Sequence, residues 1–160
     1  MTLESDVARL VRIRPFNLLP REAVQLIAFS CGKRRLQAGE VLFRADDAGD
    51  EGYFLHSGVV VLSKKGVDAE DERRVTAGAF IGETALYAPV KRQVEARVAE
   101  DAVVTAVPRE TFRRVLAEFP AAADQVRAAL AERSRRLVDR LDASRARSLD
   151  ATRRNVKAAP

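Results

Sequence analysis

The sequence predicts a mainly β domain with flanking helices (class α+β), in which eight short strands form a barrel or sandwich. Between Lys33 and Pro108, short apolar runs alternate with glycine-bearing turns, which is the pattern of an all-β barrel or sandwich. Before and after that region, apolar residues recur at helical spacing instead. A chain of 160 residues has the size of one domain, so we assign residues 1–160 to a single domain.

The N-terminal region, residues 3–30, is predicted to be helical. Val7 and Leu10 belong to a short apolar stripe in its first part. Pro20 suits the first turn of a second helix, because a proline there loses no helical hydrogen bond. Ile27 lies on the apolar face of that second helix.

The β region is predicted over residues 33–108. Its expected strands are Arg34–Leu36, Val41–Phe43, Tyr53–Leu55, Val59–Ser63, a strand at Val75, Phe80–Ile81, Val94–Val98 and Val103–Val107. The turns between them contain Gly39, Gly49, Gly58 and Gly78. The polar, acidic segment Gly66–Glu72 is predicted to be an exposed loop.

Two helices are predicted over residues 109–148. Pro108 opens the first, which carries Phe112 on its apolar face. Pro120 starts the second, which is expected to end near Ser148 and to leave a frayed tail at residues 149–160. The apolar stripe of this last helix consists of Val126, Leu130, Leu137 and Leu141.

Composition and charge limit the location and partners of the chain. No apolar run approaches the roughly 20 residues of a membrane span, and the N-terminus lacks the features of a signal peptide. Cys31 is the single cysteine, so an internal disulfide is excluded and a cytoplasmic location is expected. The net charge of +5 arises from residues 121–160, which hold ten basic and five acidic side chains. We interpret this excess as a solvated helix face; a nucleic-acid-binding module is the less favoured alternative.

An enzyme or a metalloprotein is not expected from these residues. His56 is the only histidine, so a histidine-rich metal site is excluded, and one cysteine excludes a thiolate zinc site. Ser57 adjoins His56, but neighbours on a strand point to opposite faces and make no catalytic pair. His56 is therefore predicted to be an exposed strand residue.

The segment Gly78–Val98 combines three features that suit a ribose phosphate. Gly82 permits a sharp turn, and Thr84–Leu86 can form one helical turn whose N-terminus attracts a phosphate. Arg92 can donate two parallel hydrogen bonds to phosphate oxygens. Glu83 would repel a phosphate, so its expected partner is a hydroxyl such as the ribose 2′-OH.

Residues 14–148 resemble the cyclic-nucleotide-binding domain of bacterial catabolite activators, protein kinase A regulatory subunits and nucleotide-gated channels. The resemblance is carried by FNLLPREAVQLIA, LQAGEVLFRADDAGDEGYFLHSGVVVL and FIGETALYAPVKR. It implies a jelly-roll-like β-roll with N-terminal helices, a short phosphate-cassette helix and two C-terminal helices. It also implies a cAMP ligand, or less favourably cGMP, with no other cofactor.

The resemblance assigns roles to individual residues. The glutamate matching Glu83 binds the ribose 2′-OH, and the arginine matching Arg92 binds the cyclic phosphate. Gly82 and the backbone amides around Thr84 and Ala85 complete the expected phosphate site.

Two departures from the family pattern keep an alternative open. Gln93 and Val94 stand where the family usually has two small residues, and Gln93 could donate to the phosphate or crowd it. Glu95 adds negative charge nearby, although strand alternation from Arg92 places it on the other face. The alternative is a degenerate β-roll that acts as a protein-interaction or dimerisation module and binds no nucleotide. In that case Glu83 and Arg92 would simply pair with each other, or with Asp101, on the surface.

The last helix is expected to carry the output. Too few residues follow Ser148 for a helix-turn-helix, so we expect the signal to pass to an unidentified effector protein. Along this helix, coiled-coil spacing relates three leucines and three serines: Leu130, Ser134, Leu137, Leu141, Ser144 and Ser148. A homodimer and a monomer therefore both stay open. By the resemblance, Arg133, Arg135 and Arg136 lie where the family's lid contacts the purine base, which predicts base stacking.

Overall fold

The computed structural model describes residues 2–64 and 72–157. The loop predicted at Gly66–Glu72 therefore lies outside the described residues except for Glu72. The chain divides into two compact units, Met1–Ala122 and Ala123–Pro160, which are described separately.

Helices precede and follow the β region along the chain, as predicted. They are α1 (Leu3–Leu10), a 3₁₀ helix (Phe16–Leu18), α2 (Arg21–Ser30), α3 (Arg109–Glu118) and α4 (Pro120–Lys157). The Thr2 hydroxyl accepts a hydrogen bond from the Ser5 N–H and caps α1. Pro20 and Pro108 are the residues immediately before α2 and α3, so both prolines mark helix starts.

The β region consists of antiparallel strands. They are β1 (Lys33–Leu36), β2 (Val41–Phe43), β3 (Ala48–Gly49), β4 (Glu51–Ser63), β5 (Arg73–Thr76), β6 (Phe80–Ile81), β7 (Val90–Lys91) and β8 (Glu95–Pro108). Six of them form one sheet in the order β1-β8-β4-β5, with β2 also paired to β8 and β6 to β4. Strands β3 and β7 form a separate two-stranded ladder. This arrangement confirms the predicted class, a β-roll with flanking helices.

The partition into strands differs from the prediction at two long strands. Strands β4 and β8 each join two segments that were predicted to be separate. At Gly58 the β4–β8 register shifts, and a side chain there would collide with the Asp101 carbonyl oxygen. This glycine therefore marks a bulge inside a strand, not a turn between strands. Strands β3 and β7 have two residues each, which is too short for a periodic pattern to indicate them.

Aromatic rings connect the N-terminal segment to the rest of this unit. Phe16 is fully buried, and its ring centroid lies 5.0 Å from that of Phe80 and 6.2 Å from that of Phe112 in α3. Both contacts are edge-to-face, the favourable geometry for aromatic pairs. The sheet core is a cluster of buried side chains from β2, β4, β5, β6 and β8.

His56 is buried, so the prediction of an exposed strand residue is wrong. Strand β4 is covered on both faces from Gly52 to His56, and its side chains do not alternate between core and solvent there. The His56 Nε2 atom lies 2.7 Å from the Thr105 hydroxyl oxygen. Its Nδ1 atom lies 3.3 Å from an oxygen of the buried Asp6 carboxylate, whose other oxygen pairs with Lys33 at 2.6 Å.

Helix α4 is longer than predicted. It continues to Lys157, so residues 149–157 are helical and are not a frayed tail. Residues 121–157 contain neither glycine nor proline and are rich in alanine and arginine, which favour helix. Val126 is buried, whereas Leu137 and Leu141 are 59% and 53% exposed. Across residues 2–64 and 72–157, no helix combines the length and apolar character needed to cross a bilayer.

Candidate functional site

The turn at Gly82 has the geometry that its sequence predicted. Gly82 has a φ of +77° and directly precedes a 3₁₀ helix, Glu83–Leu86, which we call the cassette turn. The Ala85 N–H donates to the Gly82 carbonyl oxygen at 3.1 Å. Ala85 and Leu86 are buried and anchor the cassette turn, while its N-terminal end carries the partial positive charge of a helix start.

Arg92 is held in place by its backbone. Its N–H donates to the Asp47 carbonyl oxygen and its carbonyl oxygen accepts from the Asp46 N–H, both at 2.8 Å. These two bonds extend the β3–β7 ladder by one step and direct the arginine side chain inward. Arg92 is only 6% exposed.

The Arg92 guanidinium lies between aromatic rings and two glycines. Its central carbon is 4.2 Å from the Phe43 ring centroid, a cation–π contact. Its Nη2 atom donates to the Glu51 carbonyl oxygen at 2.6 Å, and its Nε atom is buried without a hydrogen-bond partner among the described residues. A Cβ atom built on Gly82 would lie 2.5 Å from Arg92 Nη1, and one on Gly49 would lie 3.0 Å from Nε. The fold thus brings Arg92 against the start of the cassette turn.

Glu83 is hydrogen-bonded to Tyr87, the residue that follows the cassette turn. Its Oε1 atom accepts a hydrogen bond from the Tyr87 hydroxyl at 2.6 Å. The Tyr87 ring packs edge-to-face on Phe112 of α3, with centroids 6.2 Å apart. Asp101, one partner considered for a surface ion pair, instead accepts a hydrogen bond from the Ala38 N–H at 2.8 Å.

Gln93 and Glu95 differ from Arg92 in their surroundings. Gln93 is exposed, in contrast to the buried Arg92. A bend at residues 93–94 separates Arg92 from β8, so strand alternation does not relate Arg92 to Glu95. The Glu95 carboxylate pairs with Arg97 at 2.7 Å and Arg44 at 3.4 Å. Two arginines therefore compensate the negative charge that the sequence places near the site.

Arg109 is a residue of this site that the sequence did not indicate. It is the first residue of α3, and its Nη1 atom donates to the carbonyl oxygens of Gly49, Ala85 and Ala88 at 3.0–3.1 Å. A charged residue after a proline predicts a helix start and nothing more. The contact of its side chain with the cassette turn depends on the tertiary structure.

Two groups that interact with the Glu51 carboxylate have raised pKa values. Burial, together with the hydrogen bond that its hydroxyl donates to Glu51 at 2.6 Å, raises the pKa of Tyr53 far above its usual range. Burial, and then the Glu51 carboxylate, raises the pKa of the Cys31 thiol to about 11. The Cys31 thiol is therefore protonated at neutral pH.

The arginines expected to contact a base lie on α4. Arg135 and Arg136 pair with Glu132 at 3.3 Å and 3.1 Å, one turn away on the same helix. A base contact by these residues or by Arg133 stays a prediction. In the described ranges of the chain, no group of three or more His, Cys, Asp or Glu side chains is placed to hold a metal ion.

The arrangement of a buried arginine beside a glycine turn and a short helix is the one expected for the family that the sequence resembles. Residues 33–119, more than half of the chain, match the family model described as the cyclic nucleotide-binding domain. The chain belongs to the cyclic nucleotide-binding domain family.

Known proteins similar to this cyclic nucleotide-binding domain include signalling and regulatory proteins. A cAMP-dependent protein kinase regulatory subunit from Eremothecium gossypii is 33% identical over 63% of the chain, which spans only 21% of that protein. A cyclic nucleotide-binding-like protein from Brucella abortus is 31% identical, with a TM-score of 0.64 over 70% of the chain and 97% of that structure. The N-terminal domain of a Streptomyces coelicolor transcriptional regulator is 25% identical, with a TM-score of 0.72 over 83% of the chain and 94% of that domain.

Proposed function

We propose that this chain is a receptor for a cyclic nucleotide, cAMP in the first place, and that it does no chemistry on its ligand. The observation that carries the proposal is Arg92, a cation 6% exposed whose Nε atom has no hydrogen-bond partner within residues 2–64 and 72–157. A buried cation is costly unless an anion or hydrogen-bond acceptors compensate it. A ribose phosphate bound between Arg92 and the cassette turn supplies that compensation.

The phosphate is assigned to the space between Arg92 and the N-terminal end of the cassette turn. Arg92 Nη1 lies beside Gly82, where the absence of a side chain permits close approach. The backbone amides of Thr84 and Ala85 are the proposed further donors. Gln93 is exposed, which supports at most a contact at the rim of the phosphate site.

The ribose is assigned to Glu83. A hydrogen bond from Tyr87 positions this carboxylate. Glu83 directly follows Gly82, the residue beside which the phosphate is proposed to bind. A carboxylate has two oxygens and about four acceptor positions, so the Tyr87 bond leaves room for a ribose hydroxyl. A ligand that presents a hydroxyl beside an anionic phosphate suits this pair of residues.

The preference for cAMP as the ligand rests on similarity to a known protein. That similarity does not identify the effector protein. The named function of the Eremothecium relative is regulation of a kinase by cAMP, which favours cAMP over cGMP. Because the chain spans only 21% of that relative, kinase regulation as such does not transfer. We propose an effector protein that recognises the ligand-bound state.

The output is assigned to α4. Leu137, Val138 and Leu141 are all more than half exposed on this helix. A group of exposed apolar side chains on a helix is typical of a surface that becomes buried in another conformation or against another molecule. We propose that ligand moves α4 and covers this surface, with Arg133 and Arg136 contacting the base. In the competing alternative, two copies of the chain bury this surface against each other in a homodimer.

Isothermal titration of the whole chain with cAMP, cGMP and 5′-AMP tests the proposed function. We expect saturable binding of cAMP, weaker binding of cGMP and much weaker binding of 5′-AMP, whose open phosphate has a different shape and charge. Absence of binding by all three nucleotides would favour the degenerate β-roll, which keeps the fold for protein interaction.

Hydrogen exchange tests the proposed output separately. With saturating cAMP, residues 126–145 are expected to become more protected together with residues 82–92. Protection confined to residues 82–92 would leave α4 a fixed element and place the output on another surface. Sedimentation velocity with and without cAMP distinguishes movement of α4 in a monomer from dimerisation.

A further inference from the structure

Arg109 connects three parts of the first unit through one side chain. Its Nη1 atom donates to three carbonyl oxygens: that of Ala85 in the cassette turn, that of Ala88 two residues after the turn, and that of Gly49 in β3. Its own backbone N–H donates to the Asp50 carbonyl oxygen at 2.7 Å. The first residue of α3 is thus tied to the cassette turn and to the β3–β4 junction.

The electrostatics of these contacts stabilise the cassette turn. The carbonyl oxygens at the C-terminal end of a helical turn carry partial negative charge and lack intrahelical donors. A guanidinium at that end stabilises the turn and leaves its N-terminal end directed at Gly82 and Arg92. Arg109 and Arg92 therefore act on opposite ends of the same four-residue helix.

Gly49 provides a second link between the two arginines. Its carbonyl oxygen accepts the hydrogen bond from Arg109 at 3.0 Å. A Cβ atom built on the same residue would lie 3.0 Å from Arg92 Nε, so the Arg92 side chain packs closely on Gly49. Movement of Gly49 would therefore change the contacts of both the Arg92 and the Arg109 guanidinium groups.

We propose that Arg109 is a positioning residue for the nucleotide site: it holds the cassette turn in its binding geometry and couples that turn to α3. The ligand part of this proposal rests on the proposed function. The Tyr87–Phe112 contact supplies an apolar connection between the same two elements, and Arg109 supplies the polar one. Occupancy of the phosphate site and the position of the start of α3 are then linked through Arg109.

Three variants and one matched control test the proposal without ligand. Arg109→Ala removes the three hydrogen bonds, Arg109→Lys keeps the charge, and Arg109→Gln replaces Ala if that variant does not fold. Arg113→Ala is the control, because Arg113 is exposed one turn further along the same helix. By hydrogen exchange of the ligand-free chain, residues 83–88 are expected to lose protection in Arg109→Ala and Arg109→Gln. The β4–β8 ladder and the control are expected to stay as in the wild type.

The same variants are then titrated with cAMP. We expect about a tenfold or greater loss of affinity in Arg109→Ala, partial recovery in Arg109→Lys and wild-type affinity in Arg113→Ala. Wild-type protection of residues 83–88 in Arg109→Ala, or an equal loss of protection throughout the sheet, would overturn the positioning role. If the wild type itself binds no cyclic nucleotide, the proposed function fails, while the exchange comparison still decides what Arg109 does to the turn.

Discussion

The hydroxyl of Tyr87 donates a hydrogen bond to the Glu83 carboxylate at 2.6 Å, across one turn of the cassette. The Tyr87 ring also contacts Phe112 of α3. The carboxylate proposed to bind the ribose is therefore positioned by a side chain that packs on the next helix. A change at the ribose position can reach α3 through this pair.

Glu83→Ala is expected to weaken binding of cAMP by about tenfold or more, because a charged acceptor of the ribose 2′-OH is lost. Binding of 2′-deoxy-cAMP should hardly change, since that ligand lacks the hydroxyl. Isothermal titration with both ligands measures the difference. Equal losses for the two ligands would show that Glu83 does not contact the ribose.

Tyr87→Phe separates the positioning of Glu83 from its charge. The variant keeps the ring that packs on Phe112 and removes only the hydroxyl bonded to Glu83. We expect a smaller loss of cAMP affinity than in Glu83→Ala, about threefold to tenfold, since one neutral-to-charged hydrogen bond is lost. An affinity as low as that of Glu83→Ala would mean that Tyr87 itself contacts the ligand.

Gly82→Ala tests the close approach of Arg92 to the turn. Gly82 and Gly78 both have positive φ, but an added Cβ would lie 2.5 Å from Arg92 Nη1 at Gly82 and meet no described residue within 4 Å at Gly78. Gly78→Ala therefore measures the backbone cost alone, about 1 kcal/mol in the free energy of unfolding. We expect Gly82→Ala to cost more than that and also to lower cAMP affinity. Urea unfolding and titration of both variants check this, and equal behaviour of the two would contradict the contact.

His56 predicts a pH dependence of stability. Burial lowers the pKa of His56 below 6.5, and the positive charges of Lys33 and Arg9 add to this effect, while the Asp6 carboxylate opposes it. The unfolded state then binds the proton more readily, so the free energy of unfolding should fall as pH decreases from about 7.5 to 5.5. His56→Gln should reduce this slope in urea unfolding measured across that range. An unchanged slope in the variant would show that another group is responsible.

Sequence reasoning predicted the local features of the site better than its tertiary contacts. The turn at Gly82 and the short helix after it were predictable, because a positive-φ turn and a helix start have local signatures. Strands β2 and β6 matched their apolar runs for the same reason. The role of Arg92 as a phosphate ligand stays a prediction. The merger of two runs into β4 was not predictable, because a glycine bulge and a glycine turn look alike in sequence.

Two residues show why the rest could not be predicted. His56 lies on a strand whose two faces are both covered, and only the packed structure reveals that its partners are Asp6 and Thr105. Arg109 bonds to carbonyl groups, and any residue offers a carbonyl, so no pattern of side chains indicates such contacts. Long-range contacts to backbone atoms leave little trace in a single sequence.

The most direct test of the central proposal, that Arg92 binds the phosphate of a cyclic nucleotide, is isothermal titration of cAMP into wild-type, Arg92→Ala and Arg74→Ala protein. Arg74 is the control because it is an arginine with a side chain 60% exposed on β5. We expect Arg92→Ala to lose about 2–4 kcal/mol of binding free energy, the scale for a buried charge pair that loses one member, and Arg74→Ala to bind as the wild type. Unchanged cAMP affinity in a folded Arg92→Ala variant would contradict the proposal.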